Sequence, residues 1–120
     1  MKLIRSFVYA WQGLKICFTS ETNFKIHAAC AVIAILLGIG LNISLNEWLI
    51  ILFSIAFVMA MEMMNTAIEK LSNVVRVGIH PGIKAVKDIA AGAVLVAAAG
   101  SFIAGIIIFL PRITTLIRSF

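Results

Sequence analysis

Charged residues and cysteines are scarce in this chain of 120 residues. Asp, Glu, Lys and Arg together make up 12% of the sequence, and its two cysteines are Cys17 and Cys30. Two cysteines so far apart, with no histidine or cysteine at zinc spacing, exclude a CxxC redox motif and a zinc site. With 62% hydrophobic residues and a mean hydropathy of +1.12, the chain cannot bury its apolar surface in one small soluble core. Lipid is therefore the expected solvent.

Three apolar runs have the length that spans a bilayer, about 20 residues. Hydropathy places them at about 28–45, 48–69 and 89–110. The first run begins too late for a signal peptide and lacks a small-residue cleavage site, so we expect it to be retained. The sequence predicts an all-α membrane protein with one membrane domain, residues 1–120, and three transmembrane helices.

The N-terminal segment, residues 1–22, predicts an amphipathic helix that lies in the membrane interface. Its apolar side chains recur on one helical face, and Trp11 would lie at headgroup level. The apolar positions are Ile4, Phe7, Val8, Trp11, Leu14 and Phe18.

The basic residues predict how the chain is oriented in the membrane. Four precede the first run and four lie in or beside the second connection, whereas the first connection, near Asn42–Glu47, has none. By the positive-inside rule, the N-terminus and the second connection, about Asn73–Ala85, face the cytoplasm. The net charge is +5, but these residues flank apolar runs, so we expect no nucleic-acid partner; lipid headgroups or nucleotide phosphates fit better.

A polar stripe is predicted on the second transmembrane helix, formed by Glu62, Asn65, Thr66, Glu69 and Asn73. At about 100° per residue these positions cover about one third of the helix circumference. A charge at membrane depth costs several kcal/mol unless it is paired or hydrated, so the stripe is a candidate functional site. Glu62 lies about 10 Å deeper than Glu69. We therefore predict Glu62 as a proton-accepting base and Glu69 as a ligand of a hard cation.

Other charged residues near the stripe suggest a phosphate site. Lys84, Lys87 and Asp88 precede the third run, and Glu21 precedes the first. Lysine binds phosphate as a compact charge, and magnesium that bridges carboxylates and ATP phosphates is typical of phosphoryl transfer. The chain has neither a GxxxxGK[ST] loop nor a kinase glycine-rich loop, so these residues alone leave phosphoryl transfer as one possibility.

Three other interpretations of the stripe remain open. Its carboxylates could pair with Lys84 or Lys87 only to hold helices together, or the chain could be a structural membrane adaptor. In a small transport or proton-relay subunit, polar residues should continue along the helix, yet the segment from Trp48 to Met61 offers only Ser54. His27 and His80 are individually weak signals, and solvated histidines are the simplest interpretation.

Several segments together resemble a known family. They are YAWQGL at 9–14, ETNFKIH at 21–27, EMMNTAIE at 62–69, IHP at 79–81 and KDIAAGAV at 87–94. These motifs cover nearly the whole chain, and they resemble the small prokaryotic integral-membrane diacylglycerol kinases, a family that includes the undecaprenol kinases. The resemblance implies a homotrimer in a bacterial inner membrane, with active sites between subunits, ATP at the cytoplasmic face and a lipid hydroxyl at the interface.

The resemblance also implies roles for individual residues. By matching positions, Glu62 would be the general base, Asn65 would orient the site, and Glu21 and Glu69 would hold Mg²⁺ with the phosphates of ATP. Around the nucleotide would lie Lys87 as a phosphate ligand, together with Asp88, His80 and Tyr9.

The substrate implied by the family name is diacylglycerol, which would be phosphorylated to phosphatidic acid, with undecaprenol as the alternative. The segments NFKIH and AAGAV are more similar to the undecaprenol kinases, although they lie at ATP-side and packing positions. One residue departs from the family pattern: Asn73 stands where an aspartate is usual. The missing negative charge predicts weaker metal binding or slower turnover.

Overall fold

The computed structural model describes residues 1–75, 78 and 80–120. Within these residues the chain folds into four helices, and the all-α class is confirmed for them. Three of the helices, α2, α3 and α4, are long and apolar enough to cross a membrane. The helices are α1 (Lys2–Ser20), α2 (Thr22–Gly40), α3 (Leu45–Val75) and α4 (Pro81–Arg118).

The helices do not share their ends with the apolar runs, because capping and turn residues set where a helix stops. The run at 28–45 crosses the turn between α2 and α3, where Asn42 adopts a left-handed φ of 52°. Asparagine tolerates this conformation better than most residues. At the other end, α3 and α4 both extend into the predicted second connection, whose Arg76 lies outside the described residues. The membrane boundaries themselves stay a prediction.

Helices α3 and α4 are antiparallel neighbours, because residues at the start of α3 contact residues near the end of α4, and residues at the end of α3 contact residues at the start of α4. Contacts of this kind occur near both ends and at the middle of the pair. They join Arg112 to the carboxylate of Glu47, Ser101 Oγ to Ser54 O at 3.5 Å, and Lys87 Nζ to Asn73 Oδ1 at 2.9 Å. The helix pair therefore has fixed points along most of its length.

The start of α3 is held by a capping box. Ser44 N donates to Glu47 Oε1 at 2.9 Å, and Glu47 N donates to Ser44 Oγ at 3.3 Å. This reciprocal pairing satisfies backbone donors that a helix start leaves open. The same Glu47 carboxylate accepts from Arg112 of α4, through Nη2 and through Nε at 3.3 Å. One side chain thus fixes the start of α3 and ties it to α4.

Most apolar side chains point away from the centre of the chain. In the most apolar stretch of each spanning helix, 11% of α2, 22% of α3 and 11% of α4 is buried. A buried cluster lies near the α2–α3 turn and consists of Ile43, Ile51, Ile108 and Phe109. So much outward-facing apolar surface fits contact with lipid or with other copies of the chain.

Gly38 marks the closest approach of α2 to the start of α3. A Cβ atom at this glycine would lie 2.7 Å from Cη2 of Trp48 and 3.1 Å from Cδ1 of Ile43. Gly40, two residues later, has no such neighbour within 4 Å. The indole of Trp48 therefore occupies the space that a side chain at Gly38 would need.

We predict that Gly38→Ala lowers the unfolding temperature of the detergent-solubilised protein. Overpacking costs about 1–3 kcal/mol, which exceeds the gain of about 1 kcal/mol from replacing a helical glycine. Gly40→Ala is the matched control and should unfold at the wild-type temperature or slightly above it. Equal unfolding temperatures for the two variants would contradict this packing.

Candidate active site

The polar residues of α3 lie on a face that packs toward the other helices. Glu62 is 3% exposed and Thr66 is 4% exposed, whereas Asn65 and Glu69 are half-buried. These four side chains share one face because a helix has about 3.6 residues per turn, so positions three, four and seven apart lie on the same side. The deepest carboxylate of the stripe is therefore also a buried one.

His27 of α2 is the partner of the Glu62 carboxylate. Its Nε2 atom lies 3.0 Å from Glu62 Oε1, and the two side chains are 26% and 5% exposed. The sequence interpretation of His27 as a solvated residue is wrong, because the imidazole is half-buried against α3. Phe24, three residues earlier, is fully buried, and residues three apart share a helix face, so His27 lies on the inward face of α2.

Asn65 and Glu69 form the shallower half of the stripe. Asn65 Nδ2 donates to Glu69 Oε1 at 3.3 Å, across one turn of α3. The amide oxygen, Asn65 Oδ1, is buried and has no hydrogen-bond partner among the described residues. An orphaned buried acceptor is costly unless a ligand satisfies it. This atom is the clearest sign that the stripe is incomplete without something bound.

The end of α1 lies against the same stripe and brings Glu21 with it. Cys17, one turn before Glu21, is buried, and its thiol faces Thr66. Burial raises the pKa of this thiol, and the negative charge of Glu21 raises it further. Glu62 and Lys70 also act on it through their charges. The α1–α2 junction thus places a third carboxylate near the two on α3.

The start of α4 supplies the positive charge. Lys87 Nζ donates to Asn73 Oδ1 at 2.9 Å, which links α4 to the last turns of α3. Lys84 pairs instead with Asp88 one turn later on its own helix, at 2.7 Å, and both side chains are well exposed. Neither lysine pairs with Glu62 or Glu69 in the described part of the chain, so the simple helix-gluing interpretation has no support.

His80 and Tyr9 differ in how the structure positions them. His80 is the N-cap of α4, and its Nδ1 atom accepts from Gly82 N at 3.1 Å and Ile83 N at 3.4 Å. An imidazole that caps a helix is held in a fixed orientation. Tyr9 lies on α1 with 67% of its surface exposed. Among residues 1–75, 78 and 80–120, no hydrogen bond joins Tyr9 to the stripe.

The residues present fit a magnesium ion. Carboxylate and amide oxygens are its preferred protein ligands, and the Glu69 carboxylate lies beside Asn65, whose Oδ1 is unsatisfied among the described residues. In the described ranges no group of three or more His, Cys, Asp or Glu side chains is placed to hold a metal by itself. Magnesium does not need one, because it is usually held by one or two carboxylates together with substrate phosphates.

Comparison with known proteins decides the class. The family model described as prokaryotic diacylglycerol kinase matches residues 8–109. The chain belongs to the prokaryotic diacylglycerol kinase family. The match covers α2 and α3 in full together with most of α1 and α4. Family membership therefore rests on the helices that carry the stripe.

Named relatives agree with this assignment. The chain is 40% identical over 112 residues to the undecaprenol kinase of Bacillus subtilis, a match that covers 93% of this chain and 91% of that protein. It is 35% identical over 115 residues to the diacylglycerol kinase of Synechocystis sp., covering 95% and 66% of the two chains. The Escherichia coli diacylglycerol kinase is 25% identical over 96 residues, covering 80% and 79%. The chain is accordingly a lipid kinase of a bacterial membrane, and the transport and adaptor interpretations fall away.

We predict that Asn73→Asp increases turnover and lowers the magnesium concentration needed for half-maximal activity by a few-fold. A carboxylate at position 73 adds a negative charge near the predicted metal site, an effect on the order of 1 kcal/mol, and still accepts from Lys87. Magnesium titration of lipid phosphorylation measures the change. Asn73→Ala removes the acceptor without adding charge and serves as the control. Equal magnesium dependence of wild type and Asn73→Asp would contradict the charge argument.

Proposed function

We propose that this lipid kinase transfers the γ-phosphate of ATP to the hydroxyl of a membrane lipid at the polar stripe of α3. The observation that carries the proposal is a buried carboxylate, Glu62, in a helix long and apolar enough to span a membrane. Such a group is expensive to keep, so a task that requires it is the simplest explanation. A general base for an apolar alcohol must lie at the depth of that alcohol.

The deep part of the site acts on the lipid. Glu62 accepts the proton of the hydroxyl as its oxygen attacks the γ-phosphorus, so it is the proposed catalytic base. Asn65 orients the site from the next turn of α3. The amide oxygen of Asn65 that lacks a partner in the described residues supports this role, because bound substrate or metal would satisfy it.

The shallow part of the site binds the nucleotide. Glu21 and Glu69 would hold Mg²⁺ together with the ATP phosphates, and the ion would neutralise the charge that develops on those phosphates during transfer. Lys87 would bind phosphate as a point charge, and the hydrogen bond from Lys87 to Asn73 supports its orientation toward α3. Asp88, His80 and Tyr9 are the remaining proposed nucleotide contacts.

Undecaprenol is the substrate that we favour. The 40% identity to an undecaprenol kinase over 93% of this chain supports it, and it reverses the order of preference that the family name alone suggested. Diacylglycerol is the second candidate, supported by the family description and by two relatives that carry that name. Both substrates present a hydroxyl on a long apolar tail.

The proposed active unit is a homotrimer whose sites lie between subunits, with ATP bound from the cytoplasm. The outward-facing apolar surface of α2 to α4 supports contact with other copies or with lipid. The incomplete satisfaction of Asn65 supports a site that one chain does not close alone. The excess of basic residues before the first apolar run and around the α3–α4 connection supports the cytoplasmic position of that end.

We predict that Glu62→Gln lowers kcat by about 10²-fold to 10⁴-fold, because an amide cannot accept the hydroxyl proton. Transfer of label from ATP into lipid, in detergent with magnesium, measures the rate. Glu47→Gln is the matched control, because it removes a carboxylate from the opposite end of the same helix, and its kcat should stay within about threefold of wild type. A fully active Glu62→Gln protein would contradict the proposed base.

We also predict that the purified protein phosphorylates undecaprenol with a higher kcat/KM than diacylglycerol when both are offered in the same micelles. One missing contact in an apolar pocket is worth about 10-fold to 200-fold, so a clear preference is measurable. The preference is expected because the relative that shares 40% of its residues is an undecaprenol kinase. A higher kcat/KM for diacylglycerol would make diacylglycerol the favoured substrate. No label in either lipid would reject both substrates.

A further inference from the structure

The function proposed above gives no task to the contact between His27 and Glu62. Nε2 of the imidazole lies 3.0 Å from Oε1 of the carboxylate. The carboxylate belongs to a side chain that is 5% exposed, so water hardly competes for it. At such a position a donor placed beside one oxygen has a large effect on how the group is oriented and charged.

The fold fixes the imidazole in place. Phe24, one turn before His27, is fully buried, and its ring meets that of Phe18 edge-on with centroids 4.8 Å apart. At the other end of α2, Gly38 packs directly on Trp48 of α3. The first contact packs α2 on α1 and the second packs it on α3, so both ends of α2 are held. His27 is thus presented to Glu62 by a rigid element.

The two oxygens of the Glu62 carboxylate have different surroundings. His27 occupies Oε1, which leaves Oε2 as the atom that can receive a proton from a substrate. An imidazole nitrogen 3.0 Å from Oε1 restricts the rotation of the carboxylate. A base held in one orientation reacts faster than one that must be oriented in each turnover.

We propose that His27 is a positioning residue for phosphoryl transfer, holding Glu62 Oε1 so that Oε2 accepts the proton of the lipid hydroxyl. The inference rests on the proposed function. In the step, the hydroxyl oxygen forms a bond to the γ-phosphorus while the bond from that phosphorus to the β–γ bridging oxygen breaks. The hydroxyl proton goes to Glu62, and ADP leaves with the electron pair of the broken bond.

The competing explanation is that the contact only ties α2 to α3. A structural tie affects how stable the protein is and how well it binds both substrates. A positioning role affects kcat and leaves the KM values nearly unchanged, because the role assigned to His27 is contact with Glu62 and not with ATP or lipid. Two amide variants separate these explanations, since they match in polarity and differ in reach.

The test compares His27→Gln with His27→Asn in the full-length protein. The Gln amide nitrogen reaches the place of Nε2, so His27→Gln should keep kcat within about threefold of wild type. The Asn amide is one methylene shorter, so His27→Asn should lose about 10-fold to 100-fold in kcat, the value of one hydrogen bond to a charged group. KM for ATP and for lipid should change by less than about twofold in both. Unfolding temperature in detergent is measured alongside.

The outcomes are distinct. Loss of kcat in His27→Asn with rescue in His27→Gln, at similar unfolding temperatures, supports the positioning role. Equal kcat for the two variants, or a kcat that simply follows unfolding temperature, overturns it while the proposed function stands. A wild-type protein that phosphorylates no lipid overturns the proposed function and the inference together. If His27→Asn fails to fold, an unchanged kcat in His27→Ala overturns the positioning role, and a loss of about 10-fold or more supports it.

Discussion

A carboxylate buried among apolar helices needs a partner, and the contact between Glu62 and His27 meets that need. Leaving such a charge unpaired costs several kcal/mol, a large share of the stability of a small protein. Helix α2 must therefore present His27 at the right height and rotation. The full burial of Phe24 and the close approach of Gly38 to Trp48 explain how it does so. The need of the Glu62 carboxylate for a partner therefore constrains how α2 packs against α3.

The antiparallel pair of α3 and α4 arranges the remaining charges by depth. At one end, Glu47 and Arg112 close the pair, and at the other the last turns of α3 meet the first turns of α4 through Asn73 and Lys87. Exposure rises along this second end, from the buried Glu62 to the exposed pair of Lys84 and Asp88. An apolar alcohol and a water-soluble nucleotide can therefore meet without either leaving its own solvent. This gradient is the physical basis of the proposed division between base and nucleotide site.

How much was predictable from sequence depended on the distance over which each signal acts. The polar stripe was predictable, because helical spacing alone places Glu62, Asn65 and Glu69 on one face. Hydropathy alone overran the end of α2, because Asn42 and the Ser44–Glu47 capping box interrupt the helix inside an apolar run. The contact of His27 with Glu62 was missed, because its partner lies on another helix, far along the chain. Packing determines which residues of two helices meet, and neither composition nor periodicity reports it.

The central claim is that the α3 stripe is the catalytic centre, and the most direct measurement is an experimental structure with a non-hydrolysable ATP analogue and Mn²⁺. Manganese accepts the same oxygen ligands as magnesium and is located by its anomalous scattering. The account predicts the metal between Glu69, Glu21 and the phosphates, with the γ-phosphate directed toward Glu62. Metal and nucleotide bound away from α3, with Glu62 and Glu69 unchanged, would contradict it.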